Sequence, residues 1–310
     1  MNKQLVGILM ATYNGAKYLK EQIDSIINQT FRNWLLVIHD DGSSDLTLDI
    51  IKGYINKYSD KIILIEDNIK CGSAKENFFH LINIAKANFN FDYIMFSDQD
   101  DVWLPEKIEI TLDKMIETEK KYGKDKPIIV YTDLKVVDEN LKLFDNSFWE
   151  YQKINPLDNS LNCLLLENTV TGCTMMINKV LFNKIISDNN AIIHDWWIAL
   201  ICRVNNGIIV PIKQQTILYR QHGKNDIGAK GASIKDLIRR FFANPSNFLF
   251  IKGSKIRSQA RALYENYKDN RLLKEYISLE KNFFRRKHFY IKEKILCGNN
   301  IKKIGKLLFY

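Results

Sequence analysis

Proline and glycine are scarce in this chain, 5 and 14 of 310 residues, and no apolar run approaches the roughly 18 to 20 residues needed to cross a bilayer. Collagen-like, low-complexity and disordered classes are thereby excluded, as is a membrane-spanning helix. Cysteine is also sparse. Cys71, Cys163, Cys173, Cys202 and Cys297 are odd in number, scattered and without CxxC spacing. This argues against a disulfide framework or a structural zinc site and predicts a reducing, cytoplasmic setting. The apolar segment Leu5 to Ala11 runs into Tyr13-Asn14-Gly15 without a small-residue cleavage pattern, so it reads as a first strand rather than a leader. What is present is a chain of 36.3 kDa, 46% hydrophobic and 26% charged, enough to bury a sizeable core.

Charge divides the chain. Residues 1–229 carry 25 Lys/Arg against 30 Asp/Glu, whereas residues 230–310 carry 20 against 6, which leaves the whole at +9. A boundary near Ala229 follows, with an acidic first part and a basic second part suited to an anionic surface. The second part has no zinc-finger spacing or other nucleic-acid motif, so no nucleic-acid partner is expected.

The first hundred residues alternate short β-rich runs with helical periodicity. Leu5 to Ala11 precedes Leu19, Ile23, Ile26 and Ile27. Leu35 to Ile38 precedes Ile50, Ile51, Tyr54 and Ile55, and Ile62 to Ile65 precedes Phe78, Leu81, Ile82 and Ala85. A fourth run, Tyr93 to Phe96, ends in Ser97-Asp98-Gln99-Asp100-Asp101, and a further strand is expected at Ile128 to Thr132. Strand and helix alternating at this spacing predict an α/β fold with a mainly parallel, Rossmann-like sheet covered on both faces. Ligands bind such sheets beyond the carboxyl ends of the strands. Those ends carry Thr12-Tyr13-Asn14-Gly15, Asp40-Asp41-Gly42-Ser43, Asp67-Asn68 and Asp98-Gln99-Asp100-Asp101, a rim of polar, mostly acidic tips.

Carboxylates gathered in this way repel one another unless a cation joins them. Asp98 and Asp100, one residue apart, can turn oxygens toward one hard divalent ion, which is commonly completed by water and phosphate oxygens. The competing role is helix capping ahead of Leu104-Pro105-Glu106, which suits Asp101 best.

Ala11-Thr12-Tyr13-Asn14-Gly15, Asp40-Asp41-Gly42-Ser43-Ser44-Asp45 and Asp98-x-Asp100, in this order and spacing, resemble the family-two inverting glycosyltransferases of GT-A fold over residues 4–230. Ser97 to Trp103, His194-Asp195-Trp196-Trp197 and Tyr219-Arg220-Gln221-His222-Gly223-x-Asn225 resemble the bacterial rhamnosyltransferase-like members that build surface polysaccharides. The resemblance implies a GT-A catalytic domain over residues 1–229, with a nucleotide-sugar half to about residue 125 and an acceptor half from about 126. It places Thr12, Tyr13, Asn14, Asp40, Asp41, Lys75, Asp98 and Arg220 at the nucleotide sugar. It places Asp100, with Asp98 and His222, at a Mn or Mg ion, and Asp195 as the base that takes the acceptor proton. His222 also reads as a surface residue of a polar loop. Trp196 or Trp197 is expected either to stack on the acceptor sugar, one ring out and one in, or to belong to the core. Cys173 is read as packing, since inverting transfer forms no covalent intermediate.

The implied reaction transfers a sugar from a nucleoside diphosphate to a lipid-linked or growing glycan. dTDP-rhamnose is the favoured donor, then UDP-hexose or UDP-N-acetylhexosamine. Two other classes stand beside it, a sugar-nucleotide nucleotidyltransferase and a non-catalytic scaffold. In residues 230–310, Ile234, Leu237, Ile238, Phe241 and Phe242 form one helical stripe, Ile256, Ala260, Leu263, Tyr264 and Tyr267 a second, and Ile301, Ile304 and Leu308 a third, with Lys/Arg alongside. They are expected either to lie on an anionic membrane at the inner face of the cell membrane, or to pack on the catalytic domain or a second subunit, the latter making a homodimer.

Overall fold

In the computed structural model, residues 4–222, 245–279, 282–298 and 303 are described. The element order is β1 (Val6–Thr12), α1 (Leu19–Ile27), β2 (Trp34–Asp40), α2 (Thr47–Lys57), β3 (Ile62–Ile65), α3 (Ala74–Asn88), β4 (Tyr93–Ser97), β5 (Val102–Trp103) and α4 (Lys107–Tyr122). There follow β6 (Ile128–Val137), β7 (Leu143–Asp145), the short α5 (Phe148–Tyr151) and α6 (Leu161–Leu164), a 3-10 turn (Gly172–Thr174), β8 (Met175–Asn178), α7 (Lys179–Lys184), α8 (His194–Val204) and β9 (Ile208–Arg220). Among the described residues of the carboxyl-terminal part are three helices, α9 (Pro245–Asn266), α10 (Arg271–Ser278) and α11 (Phe283–Lys292).

The strands join one sheet in the order β3-β2-β1-β4-β8-β6-β9-β5, with β7 on β6. β3, β2, β1 and β4 run parallel, as expected from strand–helix alternation. β8 enters antiparallel between β4 and β6, and β6 and β9 are again parallel. Side chains alternate strictly across the sheet. Ile8, Met10, Leu36, Ile38, Met95, Ile128 and Val130 enter the core under α1, α2 and α4. Leu9, Val37, Ile94, Phe96, Ile129 and Tyr131 enter the other, under α3, α7 and α8. Both faces are therefore covered and the fold is GT-A-like, with the polar tips left at one edge.

Register decides what meets at that edge. Thr12 stands beside Asp40 at the end of the β1–β2 ladder, and Met10 faces Ser97, so β4 delivers Asp98 to Asp101 immediately beyond the tip of β1. β5 pairs antiparallel with β9, Val102 against Leu218 and Trp103 against Ile217, which carries Arg220 and His222 back over Asp100 and Asp101.

The second carboxyl-terminal stripe is resolved in favour of packing. Ile256, Ala260 and Leu263 are buried in the same core as α8, and Gln259 Oε1 accepts a hydrogen bond from Ile192 N at 2.8 Å. That stripe is therefore packed into the core it shares with α8 and not open to a membrane. The first stripe, the third, the boundary near Ala229, Gly223 and Asn225 lie outside the described residues. The cysteine reading is corrected at one pair: Cys163 and Cys297, 134 residues apart, form a disulfide tying α6 to the segment after α11. Spacing along the chain carries no sign of a pair that only tertiary packing makes neighbours, and the case for a reducing compartment loses this support. Cys71, Cys173 and Cys202 are free.

Candidate active site

The residues expected at the nucleotide are knit together by their own polar atoms. Thr12 Oγ1 donates to Asp40 Oδ1 at 2.9 Å, while Asp40 also accepts from Ser43 N at 2.8 Å and Ser43 Oγ at 2.6 Å. Asn14 takes φ +46°, a left-handed conformation that Asn tolerates. This turns its N toward Ser43 Oγ at 2.7 Å and its Oδ1 toward Ser44 N at 2.8 Å. Asp41, 8% exposed, accepts from Cys71 N and, at 2.9 Å, from Gly72 N, so it clamps the loop after β3. Tyr13 presents an open ring, 56% exposed, at this rim.

Gln99, the residue between the two aspartates, escapes sequence reasoning. Its amide pairs with the backbone of Tyr13, accepting from N and donating to O at 2.9 Å each. Gly15 admits it: a Cβ there would stand 2.2 Å from Gln99 Oε1. The only sequence signal was Gly15 in the first rim motif, which reads equally as a turn residue.

Asp100 Oδ2 lies 2.8 Å from His222 Nε2, with the two side chains 18% and 11% exposed, and Tyr18 stacks on the imidazole at 4.8 Å. Arg220 is 2% exposed. It donates from Nε to Asp100 O at 2.8 Å, from a terminal nitrogen to Glu139 O at 2.6 Å and from the other to Glu21, and its plane lies over Tyr18. Its backbone N donates to Asp101 Oδ1 at 3.1 Å. Burial and these bonds make Arg220, expected at the nucleotide sugar, a brace for the aspartate turn.

Behind the turn lies a buried set. Asp101 and Lys107 are fully enclosed, and oxygens of Asp98 and Asp101 and Cys173 Sγ lie within 4.8 Å of one another. Burial, then the charges of Asp100 and Asp98, hold the Asp101 carboxyl well above the usual range, and burial lowers Lys107 to about 7, its ammonium over the Trp103 ring. Burial likewise raises the Cys173 thiol, so it stays protonated and is no nucleophile.

Asp195 sits in the first turn of α8, 6% exposed. Its carboxylate accepts from Gly172 N at 2.8 Å, Asn168 Nδ2 at 3.0 Å and its neighbour Trp196 N, yet burial prevails and raises it to about 7. Gly172 precedes Cys173, so a single backbone step links Asp195 to the Asp98–Asp101 turn. Close approach requires glycine there, since a Cβ would lie 2.8 Å from His194 Nε2 and 3.3 Å from Asp195 Cβ.

One expectation is corrected. Trp196 and Trp197 are both buried, at 5% and 0% exposure, and their indole N–H groups donate to Leu164 O at 2.6 Å and Ile186 O at 2.7 Å. Neither ring is free to stack on a sugar, and the split of one out and one in does not hold, because both indoles are buried and their N–H groups are satisfied within the protein. Lys75 is held by Glu76 at 2.7 Å and Asn189 O at 3.0 Å, so its ammonium already has two partners in the protein.

A sheet of this order, with aspartate tips from β2 and β4 on one edge and a buried carboxyl beside them, is a GT-A-like arrangement. Residues 7–185 match the model of Glycosyl transferase family 2, and the chain belongs to that family. It is 33% identical over 230 residues to dTDP-rhamnosyl transferase RfbG of Shigella flexneri, covering 71% of this chain and 74% of that one. The fold is similar to that of S. aureus TarS 1-349, solved with UDP-GlcNAc (TM-score 0.51, 17% identity, 95% of this chain and 80% of that one). It is also similar to mannosyltransferase PcManGT from Pyrobaculum calidifontis, solved with GDP-Man and Mn2+ (TM-score 0.54, 13% identity, 98% and 87%).

Proposed function

We propose that this protein is an inverting, metal-dependent glycosyltransferase that takes a sugar from a nucleoside diphosphate and passes it to a lipid-linked or growing polysaccharide. dTDP-rhamnose is the favoured donor, on the similarity to a dTDP-rhamnosyl transferase, with UDP-hexose next. The observation that carries the reading is the adjacency of two unlike carboxyl sites: the partly open Asp100–His222 pair and, one backbone step behind Cys173, the buried Asp195 raised to about 7.

The open pair fits a divalent ion. Asp100 and His222 offer an oxygen and a nitrogen 2.8 Å apart, with Asp98 on the same turn, a donor set suited to Mn2+ or Mg2+. Such an ion, when bound, supplies Lewis-acid stabilisation of the departing diphosphate. The protein does the rest. Tyr18 and Arg220 keep His222 and Asp100 in place, and Gln99 ties the turn to Tyr13, whose ring is open to a base. Asp195, ionised above about 7, takes the acceptor hydroxyl proton as that oxygen attacks the anomeric carbon.

The deciding experiment incubates the protein with a panel of nucleotide sugars and Mn2+ or Mg2+. Release of dTDP from dTDP-rhamnose, faster with glycan acceptor, is expected. Pyrophosphate release would instead identify a nucleotidyltransferase, and silence across the panel would leave a non-catalytic scaffold.

A cytoplasmic position against the inner face of the cell membrane completes the reading, resting on the basic carboxyl-terminal part and not on the cysteines, whose Cys163–Cys297 disulfide argues for an oxidising setting. None of the described helices is long and apolar enough to cross a membrane. On α11, however, Phe284 and Ile291 are 82% and 60% exposed beside exposed Arg285 and Lys292, a pattern suited to an anionic interface. Phe284→Asp combined with Ile291→Asp is expected to reduce binding to phosphatidylglycerol vesicles by about tenfold or more. Unchanged flotation with the vesicles would reject this surface.

A further inference from the structure

A second cluster of ligating side chains lies at the outer end of the same edge, away from Asp100 and His222 in sequence and built from β2, the loop after β3 and α3. His39 Nε2 lies 3.2 Å from Asp67 Oδ1, and His80 Nε2 lies 2.5 Å from Asp67 Oδ2. The two imidazole rings meet edge to face with centroids 4.6 Å apart. The three ligand atoms all lie within 4.8 Å of one another.

The hydrogen bonds around Asn77 settle which nitrogen of His39 carries a proton. Asn77 Nδ2 donates to two carbonyls, Thr12 O at 3.4 Å and His39 O at 3.3 Å, which orients the amide and leaves Oδ1 toward the ring. Oδ1 accepts, so His39 Nδ1, 2.8 Å away, is the protonated nitrogen. Nε2 is therefore the nitrogen that meets the Asp67 carboxylate, a contact made favourable by a cation shared between them, whether a proton on the ring or a metal ion. Asn77 plays the part that outer partners play at histidine metal sites, fixing the tautomer and aiming the ring.

We propose that His39, Asp67 and His80 form a second metal site, distinct from that of Asp100, that takes a transition-type divalent ion such as Zn2+. Two imidazoles and one carboxylate make a borderline donor set that favours Zn2+ over Mg2+. Bonds of about 2.0–2.1 Å in a tetrahedral arrangement place ligand atoms roughly 3.3 Å apart. The observed separations, 3.2 Å to Asp67 Oδ1 and 2.5 Å to Asp67 Oδ2, lie at and below that spacing. Asp67 and His80 are 28% and 19% exposed, which provides an entry path and a water position, while His39 at 2% is the buried anchor. The consequence is local order. Asp67 begins the loop whose Cys71 and Gly72 amides hold Asp41, so an ion here fastens that loop to β2 on the nucleotide side of the edge.

Zn2+ alone is the probe, titrated by calorimetry into the full-length protein carrying Asp100→Ala so that the first site is disabled. One equivalent is expected to bind, with His80→Gln and Asp67→Asn each weakening it by roughly tenfold or more, and His288→Gln, at an exposed histidine elsewhere, leaving it unchanged. X-ray absorption of the Zn2+-loaded protein should show two imidazole ligands. His80→Gln is on a half-open helix face, so it serves if Asp67→Asn does not fold. Absence of binding in the Asp100→Ala protein, or the same affinity after His80→Gln, overturns the proposal. No donor or acceptor enters the measurement, so its outcome is separate from that of the transfer assay.

Discussion

Asp195→Asn is expected to lower the transfer rate by roughly two to four orders of magnitude while nucleotide-sugar affinity stays within about twofold. The substitution keeps the shape of the side chain, and its amide oxygen can still accept from Gly172 N, but it has no basic oxygen pair to receive a proton. The pH dependence follows from the carboxyl's elevation to about 7 by burial. The carboxylate is the active form, so kcat/KM should fall as pH drops below about 7, about tenfold per unit, and level off above it. Folding stability has the opposite sign. The folded pKa exceeds the ordinary value of 3.8, so the folded state holds this proton more tightly, and the stabilisation present at acid pH is lost as pH rises through about 7. Steady-state rates from pH 5 to 9 on both proteins are the check, and normal turnover by the Asn variant would remove Asp195 from the reaction.

Asp100→Ala should abolish metal-stimulated donor binding and slow transfer by roughly a hundred- to a thousandfold, the scale of losing one charge-stabilising group. The fold should survive, because the structural bond at this position, from Arg220 Nε at 2.8 Å, goes to the backbone oxygen that alanine retains. Removing the carboxylate also relieves the electrostatic strain on buried Asp101, whose carboxyl Asp100 helps to raise. The measurement is the rise in melting temperature that Mn2+ and a nucleoside diphosphate produce together. Wild type should show it and the variant should not. An undiminished metal-dependent rise in the variant would move the ion away from Asp100.

Much of this edge was legible along the chain. The run Ile62 to Ile65 coincides with β3, the second and fourth runs lie within β2 and β4, and the first overlaps β1 but begins one residue before it, because alternation over a two-sided core writes itself into every second residue. Strand ends in a parallel sheet point one way, so Thr12, Asp40, Asp41 and Asp98 to Asp101 arrive at one edge by topology alone. The aromatic pair misled for a reason equally physical. Trp196 and Trp197 are followed by apolar residues in any reading, but only the packing of α8 against α6 and the segment after α7 provides the Leu164 and Ile186 carbonyls that satisfy both indoles.

The sequence by itself determined the alternation of strands and helices, the acidic edge and the basic character of the carboxyl-terminal part, since these depend on neighbours within one or two turns or along one strand. Tertiary structure alone decided the rest: that Arg220 braces the aspartate turn, that Gln99 latches onto Tyr13, that Asp67 lies between two imidazoles, and that Cys163 meets Cys297. Each of these pairs joins residues 13 to 134 positions apart, and a polar atom's role is set by the partner that folding places within hydrogen-bonding reach, which no local pattern records.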